Sequence, residues 1–528
     1  MSSLRSLTLP GLLVLLAPVL SGALAAQGPD ASLESVREFK RFFRRYKHTA
    51  ERVAAVQTLE DAECREAVDT LMDLLDHREP EVQVAAMQVL CSFRDPEPFA
   101  GLLEELPELK KTDDLSRAVE IVGCVGLRDA LPALHELATR DRTGAGVKAQ
   151  VARALGRLGS AVESAGPLGA LLREKDAGVR LAALEAAAAL RAADLTETII
   201  ELLGDSAWQV RSGAAAALGT LRQAAAIAPL IELMRETGRL KEDAAEALFA
   251  ITALDFGTDP DMWARQWTKL QKLGWKVPTD EDLAKAAAAR ERNEAYYGPT
   301  EHSDFVGIKT SSKRVLFIID VSGSMDDTVV ETERFDAGYE DLRKLTIAKT
   351  ELVRTIDGLG QDTYFNVVAF ASELKTWKSD LVVANIINKS SAKAWSERLK
   401  PLGGREAIEL ANAGLVGTAN LGAGKTNTFA ALMSPFGIKT EKYTPNSGPV
   451  TRSRRWEAKN ALDTVFFLSD GRPTTGALVD EKEILAEIDR INEVHRIVFH
   501  AIAIGDFQKG FLRQLAEANG GVFVDLGR

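Results

Sequence analysis

The sequence predicts a multidomain chain, an all-α solenoid followed by an α/β, doubly wound (Rossmann-like) domain. Three observations lead there. A block of about 30 to 33 residues recurs through the first half. The last part alternates nearly continuous apolar runs with amphipathic stretches. The length, 528 residues, exceeds what a single core sustains. Hydrophobic residues make up 46% and charged residues 27%, the balance of globular protein and not of disorder. A net charge of -11 argues against a nucleic-acid binder, because neutralising phosphates needs a basic surface.

The first element is a targeting segment, expected over residues 1–25. Arg5 supplies the positive start, Gly11 to Leu20 the short apolar stretch, and Ala23-Leu24-Ala25 an A-x-A cleavage site before Ala26. The expectation is an exported protein, periplasmic or secreted. An uncleaved anchor is the alternative reading of the same residues. No later apolar stretch is long enough for a transmembrane helix in the mature chain.

The repeats follow, with the solenoid expected over 30–270. Val147 through Leu158 is matched by Val179 through Leu190 and by Val210 through Leu221. Leu240 through Ile251 and Val82 through Phe93 fit the same frame, and weaker copies begin near Glu51 and Leu115. Within each copy, Ala and larger apolar residues recur at helical spacing, and a second helix follows, as in Ala228 to Met234. A lone helix pair cannot bury its apolar face, whereas stacked pairs can. The pattern resembles the short, Ala-rich variety of HEAT repeats. That resemblance implies a scaffold or a surface for a second protein partner, with a rigid spacer as the plain alternative. Phe39, Phe42, Phe43 and Tyr46 share one helical face with basic residues around it and are expected to cap the start of the array, a helix lying on a membrane surface being the alternative; Trp263 and Trp267 are expected to close its end.

From 271 to 312 the periodicity fades. Thr279 to Asn293 reads as an exposed, charged helix, and Tyr296-Tyr297-Gly298-Pro299 breaks it. The last domain, 313–528, has candidate strands at Arg314–Ile319, Tyr364–Ala371, Thr464–Ser469, Ile497–Ile504 and Val522–Leu526. Continuous apolar runs suit strands covered on both faces. The stripes Leu345, Ala348, Leu352, Ile356 and Ile484, Ile488, Ile491 suit the covering helices. Ligands of such sheets lie at the carboxyl ends of the strands.

Three segments bring oxygen donors to such ends. Asp320-Val321-Ser322-Gly323-Ser324 closes the first strand, Gly424-Lys425-Thr426 precedes an apolar helix, and Asp470 follows Ser469. Carboxylates and hydroxyls are hard donors suited to Mg²⁺, which keeps part of its shell as water. In this order and context the residues resemble the metal-ion-dependent adhesion site of von Willebrand factor A domains, with its pattern D-x-S-x-S, then threonine, then aspartate. The resemblance implies that Ser322 and Ser324 ligate Mg²⁺ (or Mn²⁺ or Ca²⁺) through their hydroxyls. It implies that Thr426 joins directly or through water, and that Asp320 and Asp470 hold bound waters and the hydroxyls. It also implies a protein partner offering an exposed Asp or Glu. Asp326 and Asp327 read either as part of an adjacent metal site or as solvated loop charges. The insertion 437–461, with Arg452, Arg454, Arg455 and Trp456, either flanks the metal face or is a loose loop.

Competing chemistries match less of the chain. Gly424-Lys425-Thr426 ends like a phosphate-binding loop, but the required first glycine is Ala419. His135-Glu136 lacks the second histidine of H-E-x-x-H, since Thr139 stands there. No G-x-S-x-G surrounds Ser322 or Ser324. His500, inside an apolar run, reads as a core residue. The expectation is therefore a non-enzymatic, metal-dependent interaction protein. Two other readings stay open: a scaffold in which the array binds and the metal only stabilises the fold, and a metal-assisted hydrolase.

Overall fold

The computed structural model describes residues 29–109, 111–297, 303–305, 308–310, 312–329, 339–402, 424–440, 462–505 and 509–526. The targeting segment, most of the insertion and Ala419 lie outside them. The chain divides into two compact units, Met1–Ala100 and Gly101–Arg528.

In the first unit, α1 (Pro29–Phe42), α2 (Thr49–Gln57), α3 (Arg65–Leu74) and α4 (Pro80–Ser92) form helix pairs. Helix α1 packs on α3, and α2 and α3 on α4. Phe39 is buried, its ring 4.8 Å from Phe43, which meets His77 edge-on at 5.7 Å. Of that aromatic face Phe39 is the buried member, and Phe42 lies under the Arg41 and Arg45 guanidinium groups, each 5.2 Å from its ring.

The second unit begins with α5 (Ala100–Glu105), α6 (Thr112–Val125), α7 (Leu131–Thr139), α8 (Ala145–Leu158), α9 (Ala161–Leu171), α10 (Ala177–Ala189), α11 (Thr196–Glu201), α12 (Trp208–Leu221), α13 (Ile227–Leu233) and α14 (Arg239–Thr252). Helices α6, α8, α10, α12 and α14 stack in sequence, and they are the copies the repeat picks out. Small residues set their closeness. A Cβ on Gly123 would meet Ala154 Cβ at 3.1 Å, one on Gly156 the Ala186 Cα at 3.0 Å, and one on Gly219 the Ala247 Cα at 3.2 Å. Helix α15 (Pro260–Lys272) ends the array: Trp263 is buried, stacks edge-on against Phe256 at 4.8 Å and donates Nε1–H to Gly257 O at 2.8 Å. The charged stretch is helical, as α16 (Asp280–Tyr297).

A ladder of ion pairs that the repeat frame left unremarked stitches neighbouring copies. Lys148 pairs with Glu174, Arg180 Nη2 donates to Asp205 Oδ1 at 2.8 Å, and Arg211 Nη2 to Glu236 Oε2 at 3.2 Å. Arg52 and Glu79 repeat the arrangement within the first unit. Each basic residue opens the helical block of one repeat, and each acid stands just before the helix of the next.

After α16 come the hairpin strands β1 (Ser303–Phe305) and β2 (Ile308–Thr310), paired antiparallel. The α/β domain has β3 (Arg314–Asp320), α17 (Lys344–Gly358), β4 (Tyr364–Phe370), β5 (Leu374–Thr376), β6 (Val382–Val383), α18 (Ile386–Glu397), α19 (Thr428–Met433), β7 (Thr464–Ser469), α20 (Glu481–His495), β8 (Val498–Ala503), α21 (Lys509–Ala518) and β9 (Phe523–Asp525). The sheet order is β5-β4-β3-β7-β8-β9, with β6 also on β4. All pairs among β4, β3, β7, β8 and β9 are parallel; β5 and β6 run antiparallel to β4. The five expected strands are these parallel ones. Alternate residues of β3 serve two cores: Leu316 and Ile318 pack with residues of α19, α20 and α21, whereas Val315, Phe317 and Ile319 pack with those of α17 and α18. The chain moves outward from β3 to β4 and then returns to β7 on the other side. The direction of winding therefore reverses at β3, the place where such sheets open a crevice.

The α/β domain also touches the array. Arg153 Nη2 lies 2.6 Å from Glu493 Oε2, and Arg496 Nη2 lies 3.1 Å from Glu185 Oε1. Arg496 ends α20 in the left-handed region, at φ 53°, and its carbonyl accepts from Arg239.

Candidate functional site

The site is built at the carboxyl ends of β3 and β7. Past Asp320 the chain turns into a short 3-10 helix, Gly323–Asp326. Apolar and polar residues alternate there. Val321 and Met325 are buried in the α17-side core, which leaves Asp320, Ser322 and Ser324 to point together. Val321 N donates to Phe370 O at 2.8 Å, which ties the loop to the end of β4.

Asp320 and Ser322 are fully buried. Asp320 Oδ1 accepts the Ser322 amide at 2.8 Å, and Oδ2 accepts the Ser469 hydroxyl at 2.6 Å. Ser322 Oγ lies 3.3 Å from Ser324 Oγ, and Ser324 Oγ donates to Asp470 Oδ1 at 2.8 Å. Burial first, and the Asp470 carboxylate second, push the Asp320 carboxyl up to about 7. Two acids thus share a small volume with more negative charge than it accommodates alone.

Thr426, 4% exposed, arrives from a separate segment that is anchored twice. Asn427 N donates to Ala371 O at 2.8 Å, just past β4. The Thr426 amide donates to Thr474 Oγ1 at 2.8 Å, and Thr474 N returns to Thr426 O at 2.9 Å. Gly471 separates the hydroxyls: a Cβ there would stand 3.5 Å from both Ser324 Oγ and Thr426 Oγ1. Asn427 Oδ1 caps α19 through Ala430 N at 3.1 Å. A second glycine, Gly476 at φ 126°, leaves that carboxamide its space, since a Cβ would lie 2.3 Å from Asn427 Oδ1. All five expected residues, Asp320, Ser322, Ser324, Thr426 and Asp470, therefore line one crevice. Of the neighbouring acids, Asp326 Oδ1 is engaged by Arg343 Nη1 at 3.2 Å.

Two participants escaped sequence reasoning. Ser469 holds Asp320 in place. Lys344, the first residue of α17, sends Nζ to Asp470 Oδ2 at 2.6 Å. A signal existed for the lysine: it lies one turn before Ala348 on the buried stripe, where an ammonium needs a partner. His500 is a core residue as expected, stacked on Phe466 at 4.8 Å with Nδ1 accepting the Val522 amide at 3.0 Å.

Known proteins match the two parts separately. The family described as HEAT repeats matches residues 165–248. Inter-alpha-trypsin inhibitor heavy chain H2 of Homo sapiens is 27% identical over 212 residues, 40% of this chain and 17% of that protein. Heavy chain H4 of Homo sapiens is 30% identical over 98 residues, 19% of this chain and 9% of that protein. The chain thus spans less than a fifth of the length of these relatives. Among solved structures, the von Willebrand factor type A protein from Catenulispora acidiphila shares 20% identity over 41% of this chain and 39% of its own, with a TM-score of 0.28. Human deoxyhypusine hydroxylase in complex with glycerol shares 16% over 42% of this chain and 99% of its own, with a TM-score of 0.22. By architecture, the chain carries an all-helical, HEAT-like region followed by a doubly wound α/β domain with a mostly parallel sheet.

Proposed function

We propose that this chain is an exported interaction protein whose α/β domain takes hold of a carboxylate on a protein partner through a divalent cation, Mg²⁺ before Mn²⁺ or Ca²⁺. The observation that carries the reading is the meeting of three hydroxyls and two carboxylates, from three distant segments, in one crevice at the reversal of the sheet. The donor set fits the cation. All donors are hard oxygens, and two buried carboxylates, Asp320 and Asp470, stand among them. Ser322, Ser324 and Thr426 would hold the ion, and Asp320 and Asp470 would orient its waters and those hydroxyls. Neutral hydroxyls nearest the ion leave its charge incompletely matched, which favours an incoming Asp or Glu side chain. A bound ion would supply a Lewis-acid contact to that carboxylate, and the chain's own residues would supply the oxygen donors around it. We assign no catalytic step.

The helical array serves as scaffold, with its remaining surface offered to a second protein. Export rests on the residues 1–25. A second reading, in which the array binds and the ion only stabilises the fold, draws support from the array's direct ion pairs to α20 and Arg496. Capture of the partner from the exported fraction separates the two. Under the first reading Asp320→Ala or a chelator abolishes Mg²⁺-dependent capture while the fold persists. Under the second the same change lowers Tm and leaves capture intact.

A further inference from the structure

We propose that Lys344 is a resident cation that sets the metal affinity of the crevice, opposing the divalent ion by neutralising Asp470 in advance. The inference rests on the metal reading above and adds a residue that the D-x-S-x-S pattern does not contain. Its first support is the pair itself. Lys344 Nζ lies 2.6 Å from Asp470 Oδ2, with side chains 9% and 0% exposed. The other oxygen, Oδ1, accepts the Ser324 hydroxyl. One carboxylate therefore holds both an ammonium and an expected ligand.

The second support is that the lysine is seated in the fold. Its amide donates to Asp327 O at 3.0 Å, which ties the start of α17 to the loop carrying Ser322 and Ser324. Its stem runs past Gly505, at φ 102° beyond the end of β8. A Cβ on Gly505 would lie 3.2 Å from Lys344 Cε and 3.5 Å from Nζ. The glycine leaves the space the stem uses.

The third support is the balance of charge. Among the described residues, the acids of the crevice are Asp320 and Asp470, and Asp326 is already engaged by Arg343. Two carboxylates against one ammonium leave a deficit that a divalent ion more than fills. Like charges a few ångströms apart in a poorly screened site repel strongly, so the ammonium lowers the affinity for any second cation. Two carboxylates, one ammonium and one divalent ion sum to a single positive charge. One partner carboxylate cancels it. Lys344 thus makes the loaded crevice demand an anion while keeping the metal-free crevice closed on its own counter-ion.

The test titrates Mg²⁺ into the full chain by calorimetry and follows the Mg²⁺-induced rise in Tm, for wild type, Lys344→Met and Lys344→Arg. Circular dichroism checks the fold, and Lys344→Gln stands in if the methionine variant does not fold. The expected result is Mg²⁺ affinity raised by at least about tenfold in the neutral variant and near wild type in the arginine variant. Equal or weaker affinity in the neutral variant overturns the inference and leaves the metal site standing. Absence of Mg²⁺ uptake in both wild type and the neutral variants overturns the metal reading, and this inference with it.

Discussion

In the helical array, Lys148–Glu174, Arg180–Asp205 and Arg211–Glu236 repeat one register, each fastening a copy to the next. In the α/β domain, Asp320, Asp470 and Lys344 are gathered once, beneath the surface, with no copy among the described residues. The difference follows from architecture. A solenoid contacts only its neighbours, so its stability is close to a sum of local terms. A doubly wound sheet places residues from distant segments at one edge, where each depends on the others. Charge is spread where the protein needs length and concentrated where it needs chemistry.

The comparison breaks most sharply at Lys344. Without metal, Lys344→Met leaves Asp470 buried without its ammonium, and an uncompensated buried charge costs about 3–5 kcal/mol. Chemical denaturation in the presence of a chelator measures it; a loss no larger than that of an array ion pair would erase the contrast. The next effect is titration of the same domain. Burial pulls the His500 imidazole down to about 4 from 6.5. Between those values the unfolded chain binds the extra proton, so the His500 contribution to stability is full above about pH 6.5 and falls as pH drops toward 4, by about 3 kcal/mol in all. Asp320 and Asp463, whose carboxyls burial raises to about 7 and about 6, slope the other way over the same range, so denaturation against pH should reveal the His500 contribution as the difference between wild type and His500→Gln, growing from pH 4 to 6.5.

Array substitutions rank below these. Gly156→Val places a side chain 3.0 Å from the Ala186 backbone and is expected to cost about 1–3 kcal/mol. Hydrogen exchange should find the loss concentrated in α8 and α10 and absent from the sheet. Smallest is Arg211→Gln, which removes a pair whose Glu236 side chain is 45% exposed. It is expected to cost less than about 1 kcal/mol by denaturation.

Much of this was legible in the chain. The repeat frame from Leu115 to Ile251 names the stacked helices of the second unit because burying one face imposes a helical period on each copy. The five parallel strands stand out because both of their faces are covered. Strands β5 and β6 do not, being three and two residues long and defined by pairing with the edge of β4. In the crevice, Asp320, Ser322 and Ser324 share one short segment, and their grouping is visible in the text of the sequence. Lys344 shows only as a lysine one turn before Ala348 on the buried stripe, and a lysine at a helix start otherwise reads as a solvated charge. Only the tertiary approach of the Asp470 loop, with Gly505 clearing the stem, turns it inward. Ser469 is hidden likewise: its side chain matters through Asp320 on the adjacent strand.

The reading as a whole turns on whether the crevice takes up a divalent ion. Calorimetric titration of the full chain with Mg²⁺, wild type beside Asp320→Ala, measures that directly, with helical content checked by circular dichroism. Saturable uptake by wild type at a single site, lost in the folded variant, is the result the account predicts. No uptake by wild type, or the same uptake by Asp320→Ala, would contradict it.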